Sequence, residues 1–154
     1  MRAQPKIFLG FDYGTKRIGI AVGQVLTASA RPLTTLRTVR DRPDWDAIER
    51  LIETWKPDAL VVGVPLNMDG SEQDMTRAAR RFGARLQGRY GLPVHYADER
   101  LSTREAHNRL IEGGHKLRNG RTFARHPVDA VAAQIVLQAY INEQHESRHD
   151  ASQQ

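Results

Sequence analysis

The rhythm of hydrophobic and polar positions changes several times along the chain, and each change marks an element. Residues 6–12 and 17–24 are apolar runs joined by Tyr13-Gly14-Thr15-Lys16, which predicts two strands in a hairpin. Residues 32–39 (PLTTLRTV) predict a third strand, antiparallel to the second. From Asp44 the period lengthens. Ile48, Leu51, Ile52 and Trp55 fall at helical spacing, and Pro57 stops the helix. ALVVGVP, residues 59–65, predicts a buried strand, and a helix follows from about Ser71 to Arg89. On that helix Met75, Ala79, Phe82 and Leu86 form the apolar stripe, while Arg77, Arg81 and Arg85 lie on another face. PVHYADE, residues 93–99, predicts a fifth strand, and Ser102 caps a helix running to Gly113. Residues 113–125 predict a loop. His126-Pro127 opens a last helix, with Val128, Val131, Ala132, Ile135 and Ala139 as its buried face. From Glu143 onward the residues are polar and predict a frayed tail.

These elements make an α/β domain with a five-stranded mixed sheet, three antiparallel strands followed by parallel ones, and flanking helices. It is expected to span residues 1–142, with 143–154 as a polar C-terminal tail. Strands 1, 4 and 5 should be parallel neighbours. Ligands in such sheets sit beyond the carboxyl ends of the parallel strands. That edge receives Asp12 from strand 1, Gly63 to Asn67 from strand 4, and Asp98 and Glu99 from strand 5. Asp129 reaches it from the first turn of the last helix.

Each acid alone has a structural reading. Asp12 can cap the turn at Gly14, Glu99 can pair with Arg100 or Arg104, and Asp129 suits a helix N-terminus. Together they repel one another unless a cation lies between them, and an all-oxygen ligand set suits Mg²⁺ or Mn²⁺. Asp98 is better read as the partner of an arginine. The chain holds no cysteine, so disulfides, zinc–thiolate sites and thiol nucleophiles are excluded. His95, His107, His115 and His126 are not at paired metal spacing, which argues against zinc.

Charge sharpens the picture. The formal net charge is +5, and 19 of the 23 basic residues are arginine, which pairs bidentately with phosphate. Arg100, Arg104, Arg109, Lys116, Arg118, Arg121 and Arg125, against Glu105 and Glu112, concentrate that charge in one segment. A polyanionic partner is expected, and acids beside a basic surface imply metal-assisted phosphodiester chemistry. Thr15, Lys16 and Arg17 in the first turn, and Asn67 and Ser71 ahead of the second helix, are further candidates for backbone contacts. The alternatives are a solubilising turn at Lys16 and a helix cap at Ser71. No apolar run approaches the ~20 residues that span a bilayer, so no membrane partner is expected. With no leader ahead of the first strand, the cytoplasm is the expected compartment.

Four ordered motifs carry a resemblance to a known family: FDYGTKRIGIAVG, GVPLNMDGSE, DERLST and HPVDAVAAQIVLQAYI. Over roughly residues 6–142 the chain resembles the YqgF family of bacterial proteins, which has a ribonuclease H-like fold. The family is described as Holliday junction resolvases and as the nuclease that matures the 5′ end of pre-16S ribosomal RNA. The resemblance implies that Asp12, Glu99 and Asp129 form the catalytic, metal-holding set, with Asp12 shared between two ions. The basic segment, with Arg100, Lys116, Arg118, Arg121 and Arg125, is expected to bind a structured RNA precursor or branched DNA, the alternative being a solvated charged surface. Tyr13 stands where the family usually has an aliphatic residue; Arg125 and His126 hold the basic place ahead of the last helix. Two other classes compete. Asp12-Tyr13-Gly14-Thr15 also resembles the phosphate loop of actin-like and sugar kinases, but those need two such domains and 154 residues supply one. A non-catalytic nucleic-acid-binding protein is the other, against which the three intact acids argue. A weak homodimer is left open by the sequence.

Overall fold

The structure, a computed structural model, describes residues 7–40, 42–101 and 128–152. β1 (Ile7–Tyr13) and β2 (Arg17–Gln24) form the predicted hairpin, with Asp12 opposite Gly19. β3 (Ser29–Arg37) pairs antiparallel with β2 and starts three residues before the predicted strand. The turn between them places Ala28 in the left-handed region (φ 50°), a position that no glycine or asparagine announces. Its carbonyl accepts a 2.8 Å hydrogen bond from Gln138 of the last helix.

α1 (Trp45–Trp55) starts where predicted, with the Asp44 side chain accepting from the Ala47 N–H at 3.2 Å. It ends at Lys56 in the left-handed conformation, just before Pro57. β4 (Ala59–Val64) is buried along its whole length, because it is central and covered on both faces. β5 (Val94–Asp98) follows α2 (Asp74–Tyr90) and runs parallel to β4. The sheet order is β3-β2-β1-β4-β5, so β1, β4 and β5 are the expected parallel neighbours.

α2 begins at Asp74 rather than Ser71. The segment before it folds back on β4 through a Leu66–Glu72 bridge, which moves the N-cap to Gln73. Thr76 locks this start. It is fully buried, its hydroxyl donates to the Pro65 carbonyl, and it accepts from the Gln73 N–H at 3.1 Å. Thr76→Val leaves both groups unpaired and is expected to cost ~2 kcal/mol. The melting temperature should drop by about 5 °C; a midpoint unchanged in calorimetry would remove Thr76 from this role.

Two apolar layers flank the sheet. Leu9, Phe11, Ile18, Ile20, Leu60 and Val62 pack with Ile48 of α1 and with Ala79, Phe82 and Leu86 of α2. On the other face Phe8, Ala21, Ala59 and Val61 pack against Ala133, Leu137 and Ile141 of α3 (Val128–Ser152). Of the predicted buried face of α3, Val131 and Ile135 are buried. Ala130, Ala133, Leu137 and Ile141 are the most buried, whereas Ala132 and Ala139 are only partly so. The helix also continues to Ser152, past the frayed tail predicted from Glu143. The residues beyond Glu143 form no apolar stripe, but none is a glycine or proline that would stop a helix. The predicted helix from Ser102 to Gly113, the 113–125 loop and the His126-Pro127 start lie outside the described residues.

Candidate active site

The carboxyl ends of β1 and β5 bring two acids into contact. Asp12 is the penultimate residue of β1, and Glu99 opens the short 3₁₀ turn Glu99–Leu101 that follows β5. By the alternation of β1, Asp12 shares its face with Phe8 and Gly10, under α3. Glu99 reaches the same face through a gap left by Gly63 on β4. A Cβ at Gly63 would stand 3.3 Å from Glu99 Cγ and 3.2 Å from Val136 Cγ1 of α3.

This pair is electrostatically strained. Burial first, then a hydrogen bond to the Asp12 carboxylate and its charge, then the charge of Asp98, push Glu99 up to about 8. Two carboxyl groups joined by a hydrogen bond hold one proton between them. A divalent cation can take that proton's place, and the donors present are the hard oxygens such a cation prefers. On this ground the residues fit the metal that the sequence implies.

Asp129 arrives differently. It lies in the first turn of α3, and its carbonyl passes directly over Gly19, the residue opposite Asp12. A Cβ at Gly19 would fall 1.9 Å from that carbonyl oxygen, so only glycine lets the helix start sit here. The Asp129 carboxylate is 3.3 Å from the Arg17 guanidinium, both partly exposed. The structure therefore joins Asp12 and Glu99 and sets Asp129 alongside, turned to Arg17. Among the described residues no three His, Cys, Asp or Glu side chains are already grouped to hold a metal.

The other predicted residues ring this edge. Thr15, Lys16 and Arg17 are exposed in the β1–β2 turn. Asn67 and Ser71 are spent on their own turn: Asn67 Nδ2 donates to Ser71 Oγ at 2.9 Å, and both the N–H and the hydroxyl of Ser71 donate to Asp69. These bonds hold the Asp69 carboxyl below the usual carboxylate range. Arg100 is also engaged. Its Nη2 donates to Asp98 Oδ2 at 2.7 Å and its Nε to Asp98 Oδ1 at 3.1 Å, and it donates to the Met68 carbonyl at 3.2 Å, bracing the 67–71 turn against the end of β5. Asp98 is the arginine partner that the sequence suggested, and this pairing keeps its carboxyl low. Lys116, Arg118, Arg121 and Arg125 lie outside the described residues.

The residues missed from sequence are Gly19 and Gly63, which make room for two of the acids. A signal existed. Gly19, Ala21 and Gly23 alternate along β2, so one face of that strand carries almost no bulk.

The chain as a whole is similar to known proteins. The profile of the family described as "RuvX: Holliday junction resolvase" matches residues 6–143. A protein of Nitrosococcus oceani named "Putative pre-16S rRNA nuclease" is 52% identical over 147 residues, covering 96% of this chain and 93% of its own. One of the same name from Pseudomonas fluorescens is 52% identical over 138 residues, covering 89% and 92%. Among solved structures, Thermus thermophilus RuvC in complex with a Holliday junction substrate superposes with a TM-score of 0.54. It is 17% identical, with 90% of this chain and 96% of that one covered. The likeness establishes the RuvC-like, ribonuclease H fold.

Proposed function

The chain belongs to the RuvX family of Holliday junction resolvases, also called YqgF. From that premise we propose that it is a metal-dependent nuclease hydrolysing phosphodiester bonds, with the 5′ end of pre-16S ribosomal RNA as its substrate and the cytoplasm as its compartment. The observation that carries the reading is the Asp12–Glu99 pair: two carboxyl groups from separate strands, one largely buried, held in contact at the carboxyl edge of a parallel sheet. A fold does not keep such a pair for stability, because the like charges oppose it. The relatives named for pre-16S rRNA point to the substrate.

In this reading Asp12, Glu99 and Asp129 hold Mg²⁺ or Mn²⁺. When bound, such ions lower the pKa of the attacking water and neutralise the leaving oxygen. Asp12, on the central strand of the sheet, would be the most firmly placed of these ligands. Arg17, now 3.3 Å from Asp129, would contact the scissile phosphate beside Thr15 and Lys16. The 67–71 turn, braced by Arg100, forms the opposite bank. The basic residues Lys116, Arg118, Arg121 and Arg125 complete the phosphate contacts.

A second reading, resolution of a four-way DNA junction, is favoured by the family's description. It brings in a homodimer, because a junction needs two symmetric cuts. One assay separates them: an RNA precursor and a four-way junction, each with Mg²⁺, with Mn²⁺, and with excess chelator. The expected result is cleavage of the RNA at its 5′ end, with either metal, and none with chelator. Undiminished cleavage in chelator sinks the metal assignment, and junction cleavage without RNA cleavage sinks the RNA.

A further inference from the structure

On the face of the sheet opposite α3, a second basic surface begins one residue from Asp12. Tyr13 stacks on Phe82 of α2 with ring centroids 4.9 Å apart, Phe82 stacks on Trp45 at 5.8 Å, and Arg89 lies over Trp45 at 4.1 Å. Two cavities follow this row of rings. One, about 190 Å³, is lined by Tyr13, Pro43, Ala78, Arg81, Phe82 and Arg85. The next, about 590 Å³, is lined by Arg42, Trp45, Arg85, Gly88 and Arg89. Arg85 belongs to both, so they form one trough between the entry to α1 and the length of α2.

An arginine-bearing helix face is commonly just solvated, and α2 shows what that looks like. Arg77 is paired with Asp74, and Arg80 with Glu72. The trough differs. Arg42, Arg81, Arg85 and Arg89 are exposed, and among the described residues none is in an ion pair. Asp44, the acid beside the trough's entry, is occupied in capping α1. Arg81, Arg85 and Arg89 are spaced four residues apart, ~6 Å along the helix and on one side of it. Three positive charges spread over ~12 Å of helix suit an extended polyanion rather than a single anion. The Trp45 ring beneath Arg89 keeps that guanidinium positioned and dry on one side.

We propose that this trough is a second nucleic-acid-binding site, in which Arg42, Arg81, Arg85 and Arg89 hold the phosphate backbone of the duplex arm leading away from the cleavage point. The occupant's identity rests on the nuclease reading above. The trough itself rests on shape and charge, and it uses none of the residues that the sequence offered as nucleic-acid contacts.

The test is a salt titration of binding to a long RNA duplex with a single-stranded end, in chelator so that nothing is cut. Three proteins are compared: the parent, a triple variant Arg81→Gln, Arg85→Gln and Arg89→Gln, and the same triple with lysine. Each lost phosphate contact flattens the slope of log K against log [salt] by about 0.9. The glutamine triple should therefore lose about 2 to 3 from the slope and bind roughly tenfold more weakly at moderate salt. The lysine triple should keep the parental slope, because it keeps the charges. A parental slope in the glutamine triple overturns the proposal, as does an equal loss in both triples, which signals structural damage instead of charge. Parent cleavage with Mg²⁺, run in parallel, separates the two readings. If the parent cleaves while its slope ignores the substitutions, the trough falls and the nuclease stands. If the slope responds and no cleavage occurs, the nuclease falls and the trough stands. A parent that binds no nucleic acid overturns both.

Discussion

Asp12→Asn should abolish most cleavage while leaving the metal-free protein at least as stable as its parent. The asymmetry follows from what Asp12 touches. In the parent its carboxylate is hydrogen-bonded to Glu99 and, with burial, pushes that group up to about 8. An acid whose folded-state pKa is raised contributes most favourably below its unfolded value, near 4.5, and loses that contribution as pH climbs through about 8. In the variant an amide N–H can donate to the Glu99 carboxylate, and the repulsion is gone. Parent and variant should therefore melt alike near pH 4 and separate as pH rises, with the variant ahead at pH 7. The gap is on the order of 2 kcal/mol, or about 5 °C. Activity moves the other way. A bound cation contributes several kcal/mol at the transition state, and losing about 4 kcal/mol of it lowers the rate by roughly 10³-fold. Added Mg²⁺ should raise the parent's melting temperature more than the variant's. A variant that melts lower at every pH, and cleaves normally per folded molecule, would return Asp12 to a structural role at the Gly14 turn.

The parts of this site that could be read from sequence are those written in single residues and local periods. Asp12, Asp98 and Glu99 stand at the ends of strands whose apolar runs are plain, so their arrival at one edge follows from the parallel order of β1, β4 and β5. What could not be read depends on partners far along the chain. β3 starts at Ser29 because Gln138, 110 residues away, bonds the carbonyl of Ala28. α2 starts at Asp74 because Asn67 and Asp69 take the polar groups of Ser71 that would have capped it. The burial that raises Glu99 is likewise invisible in DERLST. It comes from Gly63 and Val136, which belong to a strand and a helix elsewhere. The trough shows the same limit. Arg81 and Arg85 were legible as a helix face, but not the rings of Tyr13 and Trp45 that turn that face into a concave surface.

Among the described residues, Gly19→Ala should be the most damaging change of a single methyl group. The added carbon would meet backbone, 1.9 Å from the Asp129 oxygen, 2.3 Å from its carbon and 2.9 Å from the Ala130 nitrogen. None of these can swing aside, so the start of α3 must move off the sheet. Overpacking of this kind costs ~3 kcal/mol, which is a fall of about 10 °C in melting temperature. Asp129 moves with its backbone, and a displacement of ~1 Å in a catalytic group costs roughly 10²-fold in rate. Stability alone cannot explain such a loss if cleavage is measured well below the melting transition. Gly10→Ala supplies the comparison. The atoms nearest its Cβ would be those of the Leu137 side chain, at 2.9 to 3.3 Å, under the middle of the same helix. It should lower the melting temperature and yet leave cleavage per folded molecule within about threefold of the parent, because the start of the helix stays in place. Equal residual activity in the two variants would mean that the seat of α3 on Gly19 has no part in placing Asp129. Near-parental activity in Gly19→Ala, with the helix start visibly shifted in a solved structure, would remove Asp129 from the catalytic set.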